Sequence, residues 1–410
     1  MRITRLPALL YAAVLAAASL HAFAQDAVTA FHRQFDQQMQ RHSIVGGGFA
    51  LVHGGQVLGP FSYGEARRAV HTPVDAATAY NWASITKTFT AIAILQLRDR
   101  GLLKLDDPAV RYVPELAQVH DAYGPIDAIT IRQLLTHSAG FRNPTWPWDC
   151  DDAKDCSWQP FEPAKWAQVA AMLPFTHVAF KPGSRWSYSN LGYVFLGQMI
   201  ERLSGDDFEV YIDKNILKPL GMADSYFDTA PYFLEAHVSE SFLRAGATLT
   251  PQPFNFDTGI TTSNSGLKAP ITDMVKYLAF LIGEPGNARY ETVLKRSSLE
   301  EAWQGEVPVA EPGEAATAYT AGAPKMGLGF FTVGTLIYHD GDQGGFSSEL
   351  IIDTAGKSAA ILVVNTTDTG APASDATHAV SNTEPDSQTD LRLALRRELV
   401  EKVFPALARR

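Results

Sequence analysis

The segment from Asn81 to Gly101 places the strongest constraint on how this chain folds. Its apolar residues fall on nearly every side of a helical projection, a pattern typical of a helix buried on all sides. Gly101 is suited to end such a helix, and Arg98 and Arg100 lie near its negative end. A chain of 410 residues is long enough to enclose it in a large core. The sequence therefore predicts one central helix with the rest of the protein packed around it.

Two polar side chains stand early in this predicted helix. Ser84 and Lys87 are three residues apart, so on a helix they project from the same face within contact distance. A serine hydroxyl is a weak nucleophile, but a lysine desolvated among apolar residues has a lowered pKa and can accept the hydroxyl proton. The S-x-x-K pattern alone occurs by chance about once in a chain of this size, so a purely structural role is equally consistent with it.

The first residues predict the compartment. Met1–Arg5 is short and basic, Leu6–Leu20 is apolar, and Ala22-Phe23-Ala24 has the small-x-small spacing of a cleavage site. The apolar run is short for a membrane span, and a retained N-terminal anchor is the alternative. Residues 1–24 are predicted to be a secretory signal peptide, cleaved near Ala24, that directs the protein to the periplasm or the medium.

Charge limits the partners to expect. The formal net charge is −10 for the whole chain and becomes −12 when Arg2 and Arg5 leave with the signal peptide. No basic run or basic helix face is present, so neither nucleic acid nor an anionic membrane surface is an expected partner. The eleven histidines are scattered and H-E-x-x-H is absent, so no metal site is predicted. No further stretch predicts stable membrane insertion.

Cys150 and Cys156 are the two cysteines of the chain. In an oxidising compartment they are expected to form a small disulfide loop, with a two-cysteine metal site as the alternative. Both lie in the irregular stretch Phe141–Phe180, which holds four of the seven tryptophans. This stretch is equally consistent with a lid or cleft wall and with a compact helical subdomain that packs on itself.

Hydrophobic periodicity predicts helices at both ends of the mature chain, with strands beside them. Thr369–Thr389, rich in Ser, Thr, Asp and Pro, is predicted to be a flexible insertion. His137, at the end of one predicted helix, is interpreted as structural. The predicted elements are helices at Val28–Arg41, Ile131–His137 with an end near Gly140, Val194–Leu203 and Leu391–Val403, a hairpin of Gly47–Val52 and Gln56–Phe61, and strands at Glu349–Asp353 and Ala359–Asn365.

Two later segments carry further candidate side chains. Tyr188 and Asn190 precede a predicted helix, and they offer a phenol that can shuttle a proton and an amide that can orient a substrate carbonyl. A buried tyrosine and a helix cap are the alternative readings. His339–Asp342 lies beside a glycine-rich turn between strands, where glycine lets a ligand approach the backbone closely.

Taken in order, these pieces resemble the serine β-lactamase and penicillin-binding protein superfamily, specifically its class C β-lactamase-like branch. The three signatures of that family are S-x-x-K, Y-x-N and K/H-x-G, and this chain has S-I-T-K from Ser84, Y-S-N from Tyr188 and H-D-G from His339. The segments Ile131–Phe141 and Lys218–Phe227 extend the resemblance through most of the mature chain.

The resemblance implies an α+β fold. An antiparallel β-sheet is flanked by the N- and C-terminal helices on one face and by a mostly helical subdomain on the other. Residues 25–410 then form a single β-lactamase-like catalytic domain, with the sheet subdomain at about residues 25–80 and 325–410 and the helical subdomain at about residues 81–324.

The resemblance also implies roles for individual residues. Ser84 is the acylated nucleophile, Lys87 and Tyr188 form the proton-transfer pair, and Asn190 orients the substrate. The backbone N–H groups of Ser84 and Asp342 form the oxyanion hole, and water hydrolyses the acyl-enzyme without a cofactor or metal.

The third signature departs from the family pattern. His339 stands where other members have lysine, and Asp340 and Asp342 replace hydroxyl side chains that hold a substrate carboxylate in many relatives. Residues two apart on a strand share a face, so both carboxylates flanking Gly341 are expected to point toward the ligand and to repel a substrate carboxylate. The alternative is that the turn splays both acids into solvent.

The sequence thus predicts a secreted serine hydrolase that acts on an ester, amide or peptide bond of a small-molecule or short peptide substrate. A catalytically idle receptor for peptidoglycan fragments or a protein partner is the alternative, and the presence of all the reactive side chains favours the hydrolase. β-Lactams, D-Ala peptides, D-amino-acid amides and simple esters all stay open as substrates, as does the oligomeric state.

Overall fold

The structure is a computed structural model, and it describes residues 25–141, 163–252, 255, 257–283, 287–309, 322–368 and 387–408. The predicted signal peptide, the Cys150–Cys156 pair and residues 369–386 of the predicted insertion lie outside these ranges. None of the helices within them has the length and hydrophobicity needed to cross a bilayer.

Antiparallel strands from both ends of the chain form one large sheet. Its strands come from residues 46–73 and 307–364. The strands of the described residues are β1 (Gly46–His53), β2 (Gln56–Arg67), β3 (Thr72–Pro73), β4 (Ala79–Asn81), β5 (Phe242–Ala245), β6 (Thr248–Pro251), β7 (Lys268–Pro270), β8 (Val307–Pro308), β9 (Lys325–Met326), β10 (Phe331–Val333), β11 (Leu336–Gln343), β12 (Phe346–Asp353), β13 (Ser358–Val364) and β14 (Thr366–Asp368).

The order in the large sheet is β3-β2-β1-β13-β12-β11-β10-β9-β8, and β14-β5-β6 and β4-β7 form two small sheets. Strand β1 pairs with both β2 and β13, so the N-terminal hairpin is joined directly to the C-terminal strands. The predicted hairpin is present, with Gly54 and Gly55 at φ 52° and 79° forming its two-residue turn. Strand β2 continues to Arg67, beyond the predicted end at Phe61.

Helices cover both faces of the sheet. The α-helices are α1 (residues 25–41), α2 (Thr86–Asp99), α3 (Ile131–Leu135), α4 (Trp166–Met172), α5 (Asn190–Ser204), α6 (Phe208–Ile212), α7 (Lys218–Leu220), α8 (Thr262–Ser265), α9 (Ile271–Leu281), α10 (Ala288–Glu291), α11 (Arg296–Ala302), α12 (Ser387–Glu398) and α13 (Phe404–Ala408). Short 3-10 segments lie at Ala83–Ile85, Ala109–Arg111, Pro114–Gln118, Ile126–Ala128, Leu173–Phe175, Glu235–His237 and Gly259–Thr261, and π-helical segments at Asp213–Leu217 and Leu399–Val403.

Alternating side chains give the sheet two apolar faces. Along β1, Phe49 and Leu51 pack into a cluster with the terminal helices, whereas Ala50 and Val52 pack into the cluster that contains α2. This follows from the two-residue period of a strand, which sends neighbouring side chains to opposite faces. The result is the predicted α+β fold, with an antiparallel sheet between the terminal helices and a mostly helical layer.

The central helix is buried on all sides, as its sequence predicts. Every residue of α2 from Thr86 to Leu97 is buried, and Gly101 follows its end at φ 77°. The helix begins later than Asn81, because Ala79–Asn81 forms β4 and Ala83–Ile85 forms a 3-10 turn. The backbone between strand and helix is therefore compressed into a few residues, and these include Ser84.

The terminal helices cover the other face. In α1 the predicted stripe of Phe31, Phe35 and Met39 is buried, and the Phe31 and Phe35 rings each lie 4.9 Å from the Phe49 ring. Helices α12 and α13 complete this layer. Helix α12 begins at Ser387, so the last three residues of the predicted insertion are helical.

Replacing Phe35 with alanine tests this layer. Phe35→Ala is expected to lower the free energy of unfolding by about 3–5 kcal/mol, because it opens a cavity beside Phe49. The matched change Phe175→Ala, at a ring that is 69 % exposed, should stay within about 0.5 kcal/mol. Chemical denaturation measures both. Equal effects of the two substitutions would contradict the described packing.

Candidate active site

Ser84 lies in the tight turn that links β4 to α2. Ala83 has a left-handed backbone at φ 47°, which is strained for a residue other than glycine, and its N–H donates to Asn81 Oδ1 at 2.7 Å. Trp82 holds the turn from the other side, because its Nε1 donates to the Ala269 carbonyl at 2.9 Å. The surroundings thus fix Ser84, only 3 % exposed, at the start of the helix.

Lys87 lies directly against this serine. Its Nζ is 3.1 Å from Ser84 Oγ and donates to the Asn264 carbonyl at 3.0 Å. The side chain is completely buried, and this burial lowers the pKa of Lys87 well below its ordinary value, while the charge of Asp340 opposes the shift. The neutral amine so favoured has a lone pair that can accept the hydroxyl proton of Ser84. The sequence did not indicate Asn264, because it acts through its backbone carbonyl.

Tyr188 is the third residue for which the sequence predicts a catalytic role. It is buried, and its ring centroid lies 4.8 Å from Lys87 Nζ. A second tyrosine, Tyr193, lies 5.6 Å from the same nitrogen, but its hydroxyl donates to the Leu135 carbonyl at 3.0 Å. The structure therefore brings together residues of two motifs, Ser84 and Lys87 of S-x-x-K and Tyr188 of Y-x-N.

Asn190 begins helix α5 and is partly exposed. The helix cap beside it is Ser189, whose Oγ accepts a hydrogen bond of 3.1 Å from Gly192 N–H. Capping therefore does not account for Asn190. Among the described residues, no three His, Cys, Asp or Glu side chains are grouped so that they could hold a metal ion.

Strand β11 runs past Ser84 with a glycine at the point of closest approach. A Cβ on Gly341 would lie 2.9 Å from Ser84 N and 2.5 Å from the Trp82 carbonyl oxygen, so any side chain would push the strand away. Strand β10 pairs with β11 only over Leu336–Tyr338. From His339 onward, one edge of β11 is paired with β12. The turn that carries Ser84 packs against the face of β11 that bears Gly341.

His339 shares that face and is completely buried. Its Nδ1 lies 2.6 Å from the Asp340 carbonyl, which assigns the ring proton to Nδ1 and leaves a lone pair on Nε2. Burial, with a contribution from Lys87, lowers the pKa of His339 to about 3. The ring is therefore neutral near pH 7, and it is no electrostatic substitute for a lysine.

Asp340 and Asp342 point away from the site, contrary to expectation. Both lie on the face covered by α12, where Arg392 binds Asp342 and lies 3.6 Å from Asp340. Residues two apart do share a face, but the glycine between them occupies the face toward Ser84. The solvent-exposed alternative also fails, because the Asp340 and Asp342 side chains are only 22 % and 23 % exposed and lie against Arg392. The structure therefore does not support the expectation that these two acids repel a substrate carboxylate.

A second ion pair joins α12 to the neighbouring strand. Glu349 of β12 is completely buried and accepts two hydrogen bonds of 2.6 Å from Arg396. The guanidinium of Arg396 also lies 4.4 Å from the Tyr338 ring centroid. Arg392 and Arg396 are one helical turn apart, so α12 contacts the strands behind the site through two arginines. The sequence did not indicate either arginine.

We expect Arg392→Met to destabilise the protein by about 3 kcal/mol, because it leaves two neighbouring carboxylates without their cation. The exposed Arg397 of the same helix provides the control, and Arg397→Met should change stability by no more than about 0.5 kcal/mol. Adding Asp342→Asn to Arg392→Met should recover part of the loss. If the double variant is no more stable than Arg392→Met, the pairing does not act as described.

Lys87→Met should raise stability at pH 7. The pKa of Lys87 is lowered on folding, so the unfolded chain binds more protons at neutral pH, and native stability rises with pH toward the ordinary value of 10.5. Methionine fills a similar volume without this cost, so its advantage should shrink between pH 7 and pH 10. Denaturant unfolding at both pH values measures this.

The exposed Lys104 is the matched control, and Lys104→Met should leave stability within about 0.5 kcal/mol at either pH. A Lys87→Met advantage that does not depend on pH would show that packing, and not desolvation of the amine, is responsible.

The fold and this arrangement define a β-lactamase/transpeptidase-like protein. The structure superimposes on the octameric penicillin-binding protein homologue from Pyrococcus abyssi with a TM-score of 0.72 and 26% identity, covering 92% of this chain and 78% of that one. It matches a class C β-lactamase with a TM-score of 0.67 and 18% identity, covering 93% and 96%. The chain belongs to the Beta-lactamase family, whose model matches residues 31–383.

Two curated relatives extend the comparison. Protein flp of Staphylococcus aureus (strain COL) is 25% identical over 332 residues, which are 80% of this chain and 61% of that protein. Esterase EstB of Burkholderia gladioli is 32% identical over 232 residues, which are 53% of this chain and 57% of that protein. The chain thus spans about three fifths of the length of these relatives.

Proposed function

We propose that this protein is a serine hydrolase that forms an acyl-enzyme on Ser84 and hydrolyses an ester, amide or peptide bond. The observation that carries the proposal is the buried Lys87, whose pKa is lowered and whose Nζ lies 3.1 Å from Ser84 Oγ. Membership of the Beta-lactamase family and similarity to an esterase support it. In the described site a hydroxyl, a buried amine and a phenol ring lie in contact, and these groups would act as nucleophile, base and second proton carrier.

In acylation, Ser84 Oγ attacks the carbonyl carbon while neutral Lys87 takes the hydroxyl proton. Negative charge then develops on the carbonyl oxygen, where the backbone N–H groups of Ser84 and Asp342 would stabilise it. Tyr188, against Lys87, transfers the proton to the leaving group as the bond to the carbonyl carbon breaks. Asn190 orients the substrate carbonyl.

In deacylation, water attacks the ester carbon and gives up a proton to the Lys87–Tyr188 pair. The carbon–Oγ bond breaks, and Ser84 recovers its proton. The balanced result is hydrolysis, with the acid and the alcohol or amine as products. Every transfer uses a group of the described site.

The substrate is proposed to be a simple ester or a short peptide. The neutral His339 offers an acceptor at Nε2 instead of a cation, and Asp340 and Asp342 belong to the opposite face of the strand. Asp340 and Asp342 do not face a substrate carboxylate, so β-lactams and D-Ala peptides belong in the same assay panel as esters. Residues 1–24 support the accompanying proposal of export.

Covalent labelling tests the function. A fluorophosphonate probe should label the native protein at Ser84, and Ser84→Ala should abolish both labelling and hydrolysis, at least about a thousandfold, without unfolding the protein. Ser184→Ala, at an exposed serine, should behave as the native protein does. Labelling that persists in Ser84→Ala would refute the assignment. A native protein that neither labels nor cleaves any member of the panel would favour the receptor.

A further inference from the structure

We infer that His137 is a positioning residue that holds Tyr188 against Lys87. The inference rests on the proposed function, because it concerns the geometry of the proton-transfer pair. His137 follows helix α3, which ends at Leu135, well before the predicted end near Gly140. It adopts a left-handed backbone at φ 55° and is almost completely buried.

Two hydrogen bonds that His137 accepts come from the residues on either side of the tyrosine. Its carbonyl accepts from Ser187 N–H at 2.8 Å, and its Nδ1 accepts from Ser189 N–H at 3.1 Å. These two donors are the residues immediately before and after Tyr188. A single residue therefore fixes the backbone on both sides of the phenol, so its Cα has little freedom to move relative to Lys87.

The imidazole also restricts the phenol ring itself. The centroids of the His137 and Tyr188 rings are 4.4 Å apart, with 36° between their planes. The Tyr193 ring centroid lies 5.0 Å from that of the imidazole, and the Trp186 ring meets the imidazole edge-on at 6.4 Å. The tyrosine ring thus contacts both the imidazole and the amine of Lys87, whose Nζ is 4.8 Å from the ring centroid.

This role requires a neutral imidazole. Because Nδ1 accepts a backbone N–H, the ring proton belongs to Nε2, and a second proton would remove the acceptor that holds Ser189. Burial lowers the pKa of His137 well below its ordinary value, and Lys87 and His339 lower it further. The left-handed backbone adds a second restriction, because histidine and asparagine tolerate it better than β-branched residues do.

Two substitutions separate the acceptor from the bulk of the side chain. Asparagine places Oδ1 near the position of Nδ1 and tolerates the left-handed backbone, whereas the amide of glutamine lies one carbon further out. We expect His137→Gln to slow fluorophosphonate acylation of Ser84 about tenfold to a hundredfold, as a displaced catalytic group does. His137→Asn should recover most of that rate, and KM for a cleaved substrate should change by less than about threefold in both.

A double-mutant cycle with Tyr188→Phe shows whether His137 acts through the tyrosine hydroxyl. In the Tyr188→Phe background, His137→Gln should slow acylation by less than about threefold, because the group that it positions is already gone. An equal loss in both backgrounds would overturn the inference. So would a His137→Asn variant that is as slow as His137→Gln.

The controls distinguish failure of the positioning role of His137 from failure of the proposed hydrolase. Native protein that is labelled, together with native-like labelling of His137→Gln, refutes the positioning role and leaves the proposed hydrolase intact. Native protein that is neither labelled nor able to cleave any member of the substrate panel refutes the hydrolase itself. If circular dichroism shows that His137→Gln does not fold, the cycle is run with His137→Asn, whose smaller loss should likewise vanish in the Tyr188→Phe background.

Discussion

The rest of the structure depends on a lysine side chain that is enclosed with no carboxylate of the described residues in contact with its amine. Lys87 has no exposed surface, and its Nζ contacts the Ser84 hydroxyl and the Asn264 carbonyl. Burying an ammonium group among such partners is costly, so the fold favours the neutral amine. This requires a helix surrounded by protein on every side. The large sheet, the helical layer and the compressed strand-to-helix turn together supply that enclosure.

The two faces of strand β11 separate opposite electrostatic environments. The face toward Ser84 carries Gly341 and the neutral His339, whereas the other face carries two aspartates paired with Arg392. This division matters because the charge of Asp340 acts to raise the pKa of Lys87. A cation beside that carboxylate offsets its field at the amine. Helix α12 therefore contributes to the site without contacting it, through the charge that it places behind the strand.

Local patterns predicted much of this architecture, because they depend on short-range geometry. The all-round apolar helix, the Gly54-Gly55 hairpin and the stripe of α1 follow from periods of 3.6 and 2 and from turn chemistry. The predicted end of helix α3 near Gly140 was too late, since the left-handed residue His137 leaves no mark in hydrophobic periodicity.

The orientation of Asp340 and Asp342 could not be predicted in the same way. Alternation states which residues share a face but not which face covers the site. The face on which the two aspartates lie is set by their contacts with Arg392, which is fifty residues beyond Asp342 in the chain. The glycine between the acids is the local signal of the correct face. A position that tolerates no Cβ is the one that another backbone approaches, so the neighbouring carboxylates must point the other way. The stability that the site costs favours the proposed hydrolase over a receptor. The strained Ala83, the desolvated Lys87 and the buried neutral His137 each lower the stability of the fold, and a cleft that only binds ligand gains nothing from them.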